Sequence, residues 1–390
     1  MLFIYVLAMQ TFSMFATDMY SPALPELTEF FHTSDSFVNL TFMVFFIFML
    51  IGMMLFGPIS DKYGRKPILM CGNVLFAVAS LACGLAPNIE ILVVARAFQA
   101  MAAGMIEVVG LALLKDCYDD QKRESVLLWV QFTFVVGPIA APLVGAQILR
   151  FASWRGVFFV LCILGAAGTL MTLAFKESLP REKRMRGSVV SSFSGLVHVA
   201  KCKEFTTFMF VSLLFTALPF TAYLLAAPYV YENYFSLTPQ QYSYMFGLTV
   251  ALSVLGIPLY KLAKRLISLK TLTTVLILAT GAAGVGMIFF AHRSYWAFLG
   301  FMLVFYFGIV ISRPYSTNIL LEMRPNDVGA ASSVLNGVHF LVGIIGLLPV
   351  TILGGNYILC LSILIILGAV LSLMCWVYVF AASLKVEGIT

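Results

Sequence analysis

Long apolar stretches separated by short polar connections make up most of this chain of 390 residues. About 20 consecutive apolar residues are enough for a helix to cross the hydrocarbon core of a bilayer. The hydropathy pattern predicts twelve such spans, at 2–24, 37–59, 67–86, 90–115, 124–149, 155–175, 205–231, 241–264, 270–291, 295–320, 328–352 and 357–382. We therefore expect an all-α membrane protein with twelve transmembrane helices.

A long polar break, rich in Lys, Arg, Glu and Ser, separates the first six spans from the last six. It predicts an N-terminal six-helix bundle at 1–175, a cytoplasmic central loop at 176–204 and a C-terminal six-helix bundle at 205–390. A glycine followed by a basic cluster recurs after span 2, at Gly57–Lys66, and after span 8, at Gly256–Arg265. Two weakly related halves are typical of transporters whose binding site lies between the repeats.

Composition and charge agree with a membrane protein. The chain is 61% hydrophobic and 11% charged, and its mean hydropathy of +0.98 excludes a soluble domain of this length. Nineteen of the 24 Lys and Arg residues fall on one side of the twelve-span topology, if the N-terminus is inside. This asymmetry predicts a multi-pass membrane protein with both termini cytoplasmic. The net charge of +6 is then a topology signal, and no nucleic-acid partner is expected.

The first span is expected to remain in the protein as a helix. It lacks a basic region at its start and carries Asp18 where a signal-peptide cleavage site would be expected. The seven Cys residues form no CxxC pair, so neither a disulfide nor a metal site is predicted. The sequence also lacks an HExxH, a GxSxG and a Walker loop, so we expect no cofactor and no enzyme activity.

Two opposite charges interrupt the apolar stretch Ile91–Asp116. Arg96 and Glu107 lie eleven residues apart, which is three helical turns plus about 20°, so both point from one face, near Gln99. A charge at the centre of a membrane helix costs about 2.5–3.5 kcal/mol on insertion scales. One interpretation is a structural ion pair between helices. The favoured one is a polar stripe that lines a wet internal cavity.

Asp18 lies in the outer half of span 1, shortly before Pro22 and Pro25. One interpretation is a cap on a helix end that the prolines distort. The other is a proton-carrying carboxyl, because partial burial favours its neutral form and a nearby Arg96 favours its charged form. Span 4 runs inward, so Arg96 is expected at the same depth as Asp18. Glu107 is expected deeper and is the rival coupling acid.

Polar residues of the second half have two interpretations as well. Asn336 and His339 stand at i and i+3 of span 11, either as a bond between helices or as part of a cavity wall. Tyr223 is one of several aromatic residues that either pack the bundle or line the pocket; the others are Phe12, Phe15, Phe220, Tyr306 and Tyr315.

The connection Gly57-Pro58-Ile59-Ser60-Asp61-Lys62-Tyr63-Gly64-Arg65-Lys66 has a recognisable pattern. Gly57 allows close helix approach, and Gly64 allows a turn with positive φ. Asp61 is expected to meet a helix N-terminus, with Arg65 and Lys66 at the lipid surface. Without its spacing this would be an ordinary positive-inside loop. The spacing resembles the G-x-x-x-D-x-x-G-R-K/R signature of the major facilitator superfamily, where it is a gating motif.

Further segments resemble the drug:proton antiporter branch of that superfamily, of the Bcr/CflA type. They are Arg96-Ala97-Phe98-Gln99, the fifth-span motif Gly137-Pro138-Ile139-Ala140-Ala141-Pro142-Leu143-Val144-Gly145, the first-span exit Asp18–Pro25, and the connection from Pro228-Tyr229-Val230 to Phe235–Tyr242. The resemblance implies the major facilitator fold and a hinge or tight helix contact at Gly137, Pro138, Pro142 and Gly145. Ala100 replaces the glycine that usually follows Gln99, and Arg313 precedes Pro314 where the branch has an uncharged residue.

The resemblance also implies a function. We expect a monomeric exporter in the lipid bilayer that exchanges protons for small amphipathic compounds such as antibiotics, by alternating access. The alternative is a facilitator or importer of a small metabolite on the same fold. A receptor or scaffold would not need charges inside two spans.

The charge asymmetry generates a topology prediction. Reporter fusions at Ser192 and at Thr33 should report opposite compartments, with Ser192 on the cytoplasmic side, because the basic residues concentrate there. Alkaline phosphatase and fluorescent-protein fusions at the two positions measure this directly. If both positions report the same compartment, the twelve-span topology is wrong.

Overall fold

The computed structural model describes residues 2–118, 120–185, 194–324 and 328–386. Ser192, the predicted reporter position in the central loop, lies outside these ranges. The chain divides into two compact units, unit 1 and unit 2. Unit 1 comprises Met1–Ser191 together with Leu237–Gly247, and unit 2 comprises Ser192–Ser236 and Leu248–Thr390.

The helices of unit 1 follow the first six predicted spans. They are α1 (Leu2–Asp18), α2 (Leu24–Phe30), α3 (Asp35–Tyr63), α4 (Arg65–Gly84), α5 (Ile89–Cys117), α6 (Asp120–Phe151) and α7 (Arg155–Ala174). The sequence predicts the first span at roughly 2–24, with a helix end that Pro22 and Pro25 distort. The helix ends at Asp18, and a 3-10 turn at Ser21–Ala23 leads into α2. Pro22 and Pro25 each lie in the first turn of a new helix, where the missing N–H is tolerated.

The helices of unit 2 follow the last six spans, with two interruptions. They are α8 (Ser194–Ala200), α9 (Lys203–Leu214), α10 (Ala217–Pro228), α11 (Pro239–Ser253), α12 (Gly256–Leu266), α13 (Leu269–Phe290), α14 (Tyr295–Glu322), α15 (Val328–Leu353) and α16 (Tyr357–Ala381). Span 7 is broken by a turn between α9 and α10 and ends in a π-helix at Tyr229–Tyr234. Span 8 is divided into α11, whose first residues group with unit 1, and α12.

Ten segments in the described part of the chain are long and apolar enough to cross a membrane. Together with α1 and the apolar stretch Val136–Phe151 of α6, they match the twelve predicted spans. Large apolar side chains remain exposed on these helices; Ile163 and Leu170 of α7 are each 67% exposed. Such side chains are stable where lipid, rather than water, surrounds the helix.

Close packing in unit 1 depends on glycine where α3 crosses α5. A Cβ at Gly52 would strike the carbonyl oxygen of Met101, and a Cβ at Gly104 would strike that of Met49. Membrane helices approach most closely where small residues meet, because van der Waals contact replaces the hydrophobic effect there. The two glycines therefore set the distance between α3 and the helix that carries Arg96.

Gly104→Ala should destabilise the protein, because the added methyl meets backbone atoms that cannot rotate away. Overpacking of this kind costs about 1–3 kcal/mol. The matched control is Gly300→Ala on α14, where a Cβ would have no neighbour within 4 Å. Thermal unfolding in detergent measures both, and equal melting temperatures for the two variants would refute the close crossing.

Candidate functional site

Arg96 is the most deeply buried charge of unit 1. Its side chain is fully buried, and its Nη1 donates to the Ala16 carbonyl of α1 at 2.9 Å. The guanidinium carbon lies 4.7 Å from the ring centre of Tyr20 and 4.2 Å from that of Phe45. A desolvated cation–π contact contributes about 2 kcal/mol. The aromatic rings thus stabilise the Arg96 cation, and its hydrogen bond to the Ala16 carbonyl connects it to the end of α1.

A chain of hydrogen bonds extends from Arg96 into the next helix. Nη1 of Arg96 also donates to Oε1 of Gln99 at 2.7 Å, and Nε2 of Gln99 donates to Oγ of Ser80 at 2.8 Å. Ser80 in turn donates to the Phe76 carbonyl at 2.6 Å. The polar stripe predicted on α5 therefore joins α1, α5 and α4 through buried side chains.

The guanidinium of Arg96 is only partly satisfied. Its Nε and Nη2 have no acceptor among the residues that the structure describes. A buried donor without an acceptor is unfavourable by about 1–3 kcal/mol, and more when it is charged. Two donors of this cation are therefore available to an acceptor that approaches in another arrangement of the helices.

Asp18, two residues after Ala16, does not pair with the Arg96 guanidinium. It is the last residue of α1, is 6% exposed, and interacts with the neighbouring Thr17 side chain. The structure describes both Asp18 and Arg96 and contains no ion pair between them. Arg96 instead binds the Ala16 carbonyl, two residues before Asp18.

Glu107 lies three turns further along α5, about 16 Å from Arg96 along the helix axis. It is 8% exposed, and its backbone carbonyl accepts a hydrogen bond from Nε2 of Gln10 at 3.0 Å. The two acids of the predicted site therefore lie at different levels of unit 1, Asp18 at the end of α1 and Glu107 next to Gln10 of the same helix.

The glycine motif of α6 packs against α1. A Cβ at Gly137 would meet the flexible thioether of Met14, whereas one at Gly145 would meet the backbone of Met19, the residue after Asp18. Helix α6 continues through Pro138 and Pro142. Helix packing in membranes tolerates the lost ladder bond. The motif braces the end of α1 rather than interrupting α6.

Arg65 forms the centre of a second cluster, at the junction of α3 and α4. Its Nη1 lies 2.6 Å from Oδ1 of Asp61 and donates to Oγ of Ser60 at 2.6 Å, and its Nε donates to Oδ2 of Asp116 at 2.8 Å. Arg65 is 7% exposed, so the prediction that it sits at the lipid surface is wrong. The two carboxylates draw it inward. Gly64 has φ +106, which gives the motif the predicted turn.

Glu177, and not Asp61, meets the first N–H groups of α4. Its Oε1 accepts from the backbone N–H of Arg65 at 2.9 Å, and its Oε2 accepts from that of Lys66 at 3.2 Å. In return, Nζ of Lys66 donates to the carbonyls of Leu173 and Phe175 at the end of α7, at 3.1 and 2.6 Å. Glu177, which follows α7, thus caps the N-terminus of α4. Lys66, in the first turn of α4, caps the C-terminus of α7.

The predicted residues of the second half belong to unit 2. Tyr223 on α10 is fully buried, with its ring 5.7 Å from that of Tyr306. Asn336 is exposed on α15, with Nδ2 3.5 Å from Oγ of Ser332. His339 lies one turn further on and is half-buried.

Sequence reasoning missed the residues that hold the predicted ones in place. They are Tyr20, Phe45, Ser80, Asp116 and Glu177. Tyr20 stands within the recognised first-span exit, and Glu177 is an acid directly after an apolar span, so both carried a weak signal. Phe45 and Ser80 carried none, because each looks like an ordinary residue of an apolar helix.

Buried charges inside a bundle of membrane-spanning helices are typical of a transporter. The sequence profile of the Major Facilitator Superfamily matches residues 6–347. The chain belongs to this superfamily, and its members are transporters rather than enzymes. The prediction of the superfamily, and of its all-α fold with twelve helices in two six-helix bundles, is confirmed.

Curated relatives and solved structures agree with this assignment. The chain is 30% identical to the MFS-type transporter YdgK of Bacillus subtilis, over 84% of this chain and 82% of that one. It is 24% identical to the bicyclomycin resistance protein homolog of Haemophilus influenzae, over 88% and 87% of the two chains. It is also 32% identical to the multidrug resistance protein MdtL of Escherichia coli, over 42% of each. These names agree with the predicted branch.

Among solved structures, the xylose transporter XylE of Escherichia coli, in a partially occluded inward-open conformation, has a TM-score of 0.74. It covers 100% of this chain and 98% of its own, at 13% identity, and supports the fold.

Glu177→Ala should lower the melting temperature, because two N–H groups at the start of α4 lose their acceptor. Removal of a helix cap costs about 0.5–2 kcal/mol. Glu182→Ala is the matched control, because Glu182 is an exposed acid of the same segment. Thermal unfolding of both variants measures the difference, and equal losses would show that Glu177 does not act as a cap.

Proposed function

We propose that this protein is a proton-coupled exporter of small amphipathic compounds, acting by alternating access across a bacterial inner membrane with both termini in the cytoplasm. The observation that carries the proposal is a buried and only partly satisfied cation, Arg96, that binds α1 two residues before the buried carboxyl of Asp18. The names of two relatives, one for bicyclomycin resistance and one for multidrug resistance, support export as the direction. As an exporter it would work as a monomer, with protons and the substrate as its partners.

In the proposed coupling, the Arg96 cation binds one of two acceptors on α1, the Ala16 carbonyl or the Asp18 carboxylate. In this structure Arg96 binds the Ala16 carbonyl, and Asp18 has no cation within ion-pair distance among the described residues. An apolar environment favours a neutral carboxyl, so in the proposed cycle Asp18 holds its proton in this arrangement. If α1 shifts so that Asp18 meets Nε or Nη2 of Arg96, the charged carboxylate is stabilised and the proton leaves.

The packing of α1 supplies the link to conformation. Arg96 binds α1 through a single backbone carbonyl, and α6 contacts the residue after Asp18 through Gly145. Protonation can therefore shift the balance between two helix arrangements, because the two arrangements bind the proton with different affinity. The Gly57, Asp61, Gly64, Arg65 and Lys66 motif acts as the gate in this proposal. It ties α3, α4, α5 and α7 together at one end of unit 1.

Asp18→Asn should abolish the coupling of proton movement to substrate, because the amide cannot carry the proton. The measurement uses inverted membrane vesicles acidified inside by respiration, with a fluorescent pH probe and a panel of small antibiotics that includes bicyclomycin. A substrate of the wild-type antiporter releases protons from the lumen and restores fluorescence. Glu29→Gln, which removes an exposed acid of α2, is the control and should behave as wild type.

Glu107→Gln is the companion variant, because Glu107 is the rival acid. Full coupling in Asp18→Asn together with loss in Glu107→Gln would transfer the role to Glu107. Substrate movement without any fluorescence change in the wild type would favour the facilitator alternative. Proton movement in the same direction as substrate would contradict antiport.

A further inference from the structure

Arg313 is a charge inside a membrane span that has no role in the proposed coupling of Asp18 and Arg96. It lies on α14, nine residues before the last residue of that helix, Glu322, and is separated by Ser312 from the apolar run Ile309-Val310-Ile311. Its side chain is exposed, and its guanidinium forms no ion pair or hydrogen bond with any residue that the structure describes. A free cation at this position is costly on a lipid-facing surface, so the position indicates a water-filled cavity.

Among the described residues, no carboxylate of unit 2 forms an ion pair with this cation. The sequence contains no Asp or Glu from 233 to 321 and none from 328 to 386. Glu322, on the same helix, is nine residues away, about 13 Å along the axis. The charge of Arg313 is therefore not part of an ion pair between the membrane helices of its own unit.

Hydrogen-bond donors of a neighbouring helix lie at the depth of Arg313. Helices α14 and α15 pack against each other, and α14 ends at Glu322 shortly before α15 begins at Val328. Arg313 lies nine residues before the first of these ends, and Asn336 and His339 lie eight and eleven residues after the second. Asn336 is exposed one turn before His339, so its amide and the imidazole share a face of α15. A guanidinium, an amide N–H and an imidazole N–H are all donors, and the planar guanidinium matches a carboxylate with two parallel bonds.

An aromatic surface lies two turns away on the same side of α14. Tyr306 stands seven residues before Arg313, and its ring contacts those of Phe220 at 6.0 Å and Tyr223 at 5.7 Å, both edge-on. Phe220 is half-buried, so part of this surface is accessible. A ligand with an anionic group at Arg313 can place an apolar body against these rings.

We propose that Arg313, Asn336 and His339 form a subsite for the anionic group of the substrate, and that the protein exports small amphipathic organic acids. The Tyr306 and Phe220 rings receive the apolar part of the same molecule. This inference rests on the proposed export function, and it narrows the substrate class to compounds that are negatively charged at neutral pH.

A binding experiment tests the subsite without transport. Purified full-length protein in detergent is titrated by calorimetry with three compounds of one shape: naphthoate, naphthamide and naphthylmethylamine. Naphthoate should bind about tenfold to hundredfold more tightly than the neutral amide, as expected for a charge-assisted hydrogen bond. Arg313→Gln should remove this preference, and Arg313→Lys should retain part of it, because the charge remains and the fork is lost.

The matched control is Arg293→Gln, which removes the same group from the turn between α13 and α14, outside the spans. It should keep the wild-type preference. Equal affinity for naphthoate and naphthamide in the wild type, or tighter binding of the amine, would overturn the subsite. An unchanged preference in Arg313→Gln would overturn it as well.

Proton-flux traces in inverted vesicles separate this inference from the proposed function. If the amine or the amide drives proton release and naphthoate does not, export stands and the anionic substrate class fails. If naphthoate binds through Arg313 but no compound moves protons, the subsite stands and proton-coupled export fails.

Discussion

The burial of one guanidinium governs the arrangement of unit 1. Arg96 has no exposed surface, so the protein must supply its environment, and it does so with two aromatic rings, the Gln99 side chain and the Ala16 carbonyl. These contacts come from α1, α3 and α5 and fix the helices around the cation. Full satisfaction would also require acceptors at Nε and Nη2, which no described residue provides. A buried network that is only partly satisfied is a poor source of stability but a good switch, because a small helix movement changes which acceptor the cation meets.

The remaining motifs support this switch from two directions. On one side, Gly145 allows α6 to touch the α1 backbone directly after Asp18, so α1 cannot shift without α6. At the other end, Arg65 connects Asp61 with Asp116 at the end of α5, while Glu177 and Lys66 cap α4 and α7. The same helix, α5, carries Arg96, Glu107 and Asp116, and so joins the two clusters. In unit 2, Arg313 has no equivalent network, which is why a ligand is its most reasonable partner.

The sequence predicted the spans and the family motifs because these depend on local features. The length of an apolar stretch indicates a membrane helix. The glycine at position 64 predicts a turn, and the structure has a positive φ there. The sequence did not predict the partners. Glu177 caps residues that lie 111 and 112 positions earlier in the chain, and Phe45 meets Arg96 only because α3 and α5 cross at two glycines. Likewise, the sequence predicts that Arg96 lies near Asp18, whereas in the structure Arg96 binds the Ala16 carbonyl. The rotation and tilt of α1 decide which atom faces the guanidinium. These contacts depend on packing between residues that are far apart in the sequence, so local sequence patterns do not predict them.

The central claim is that the Arg96 guanidinium, and not merely a positive charge, connects the protonation of α1 to transport. The direct measurement is the number of protons moved per substrate in proteoliposomes for the wild type, Arg96→Lys and Arg96→Ala. Arg96→Lys keeps a cation but loses the planar fork that allows bonds to Ala16 and to Asp18 in turn. The account predicts weaker coupling in the lysine variant and none in the alanine variant, with both proteins still inserted in the membrane. A wild-type ratio of protons to substrate in Arg96→Ala would contradict it.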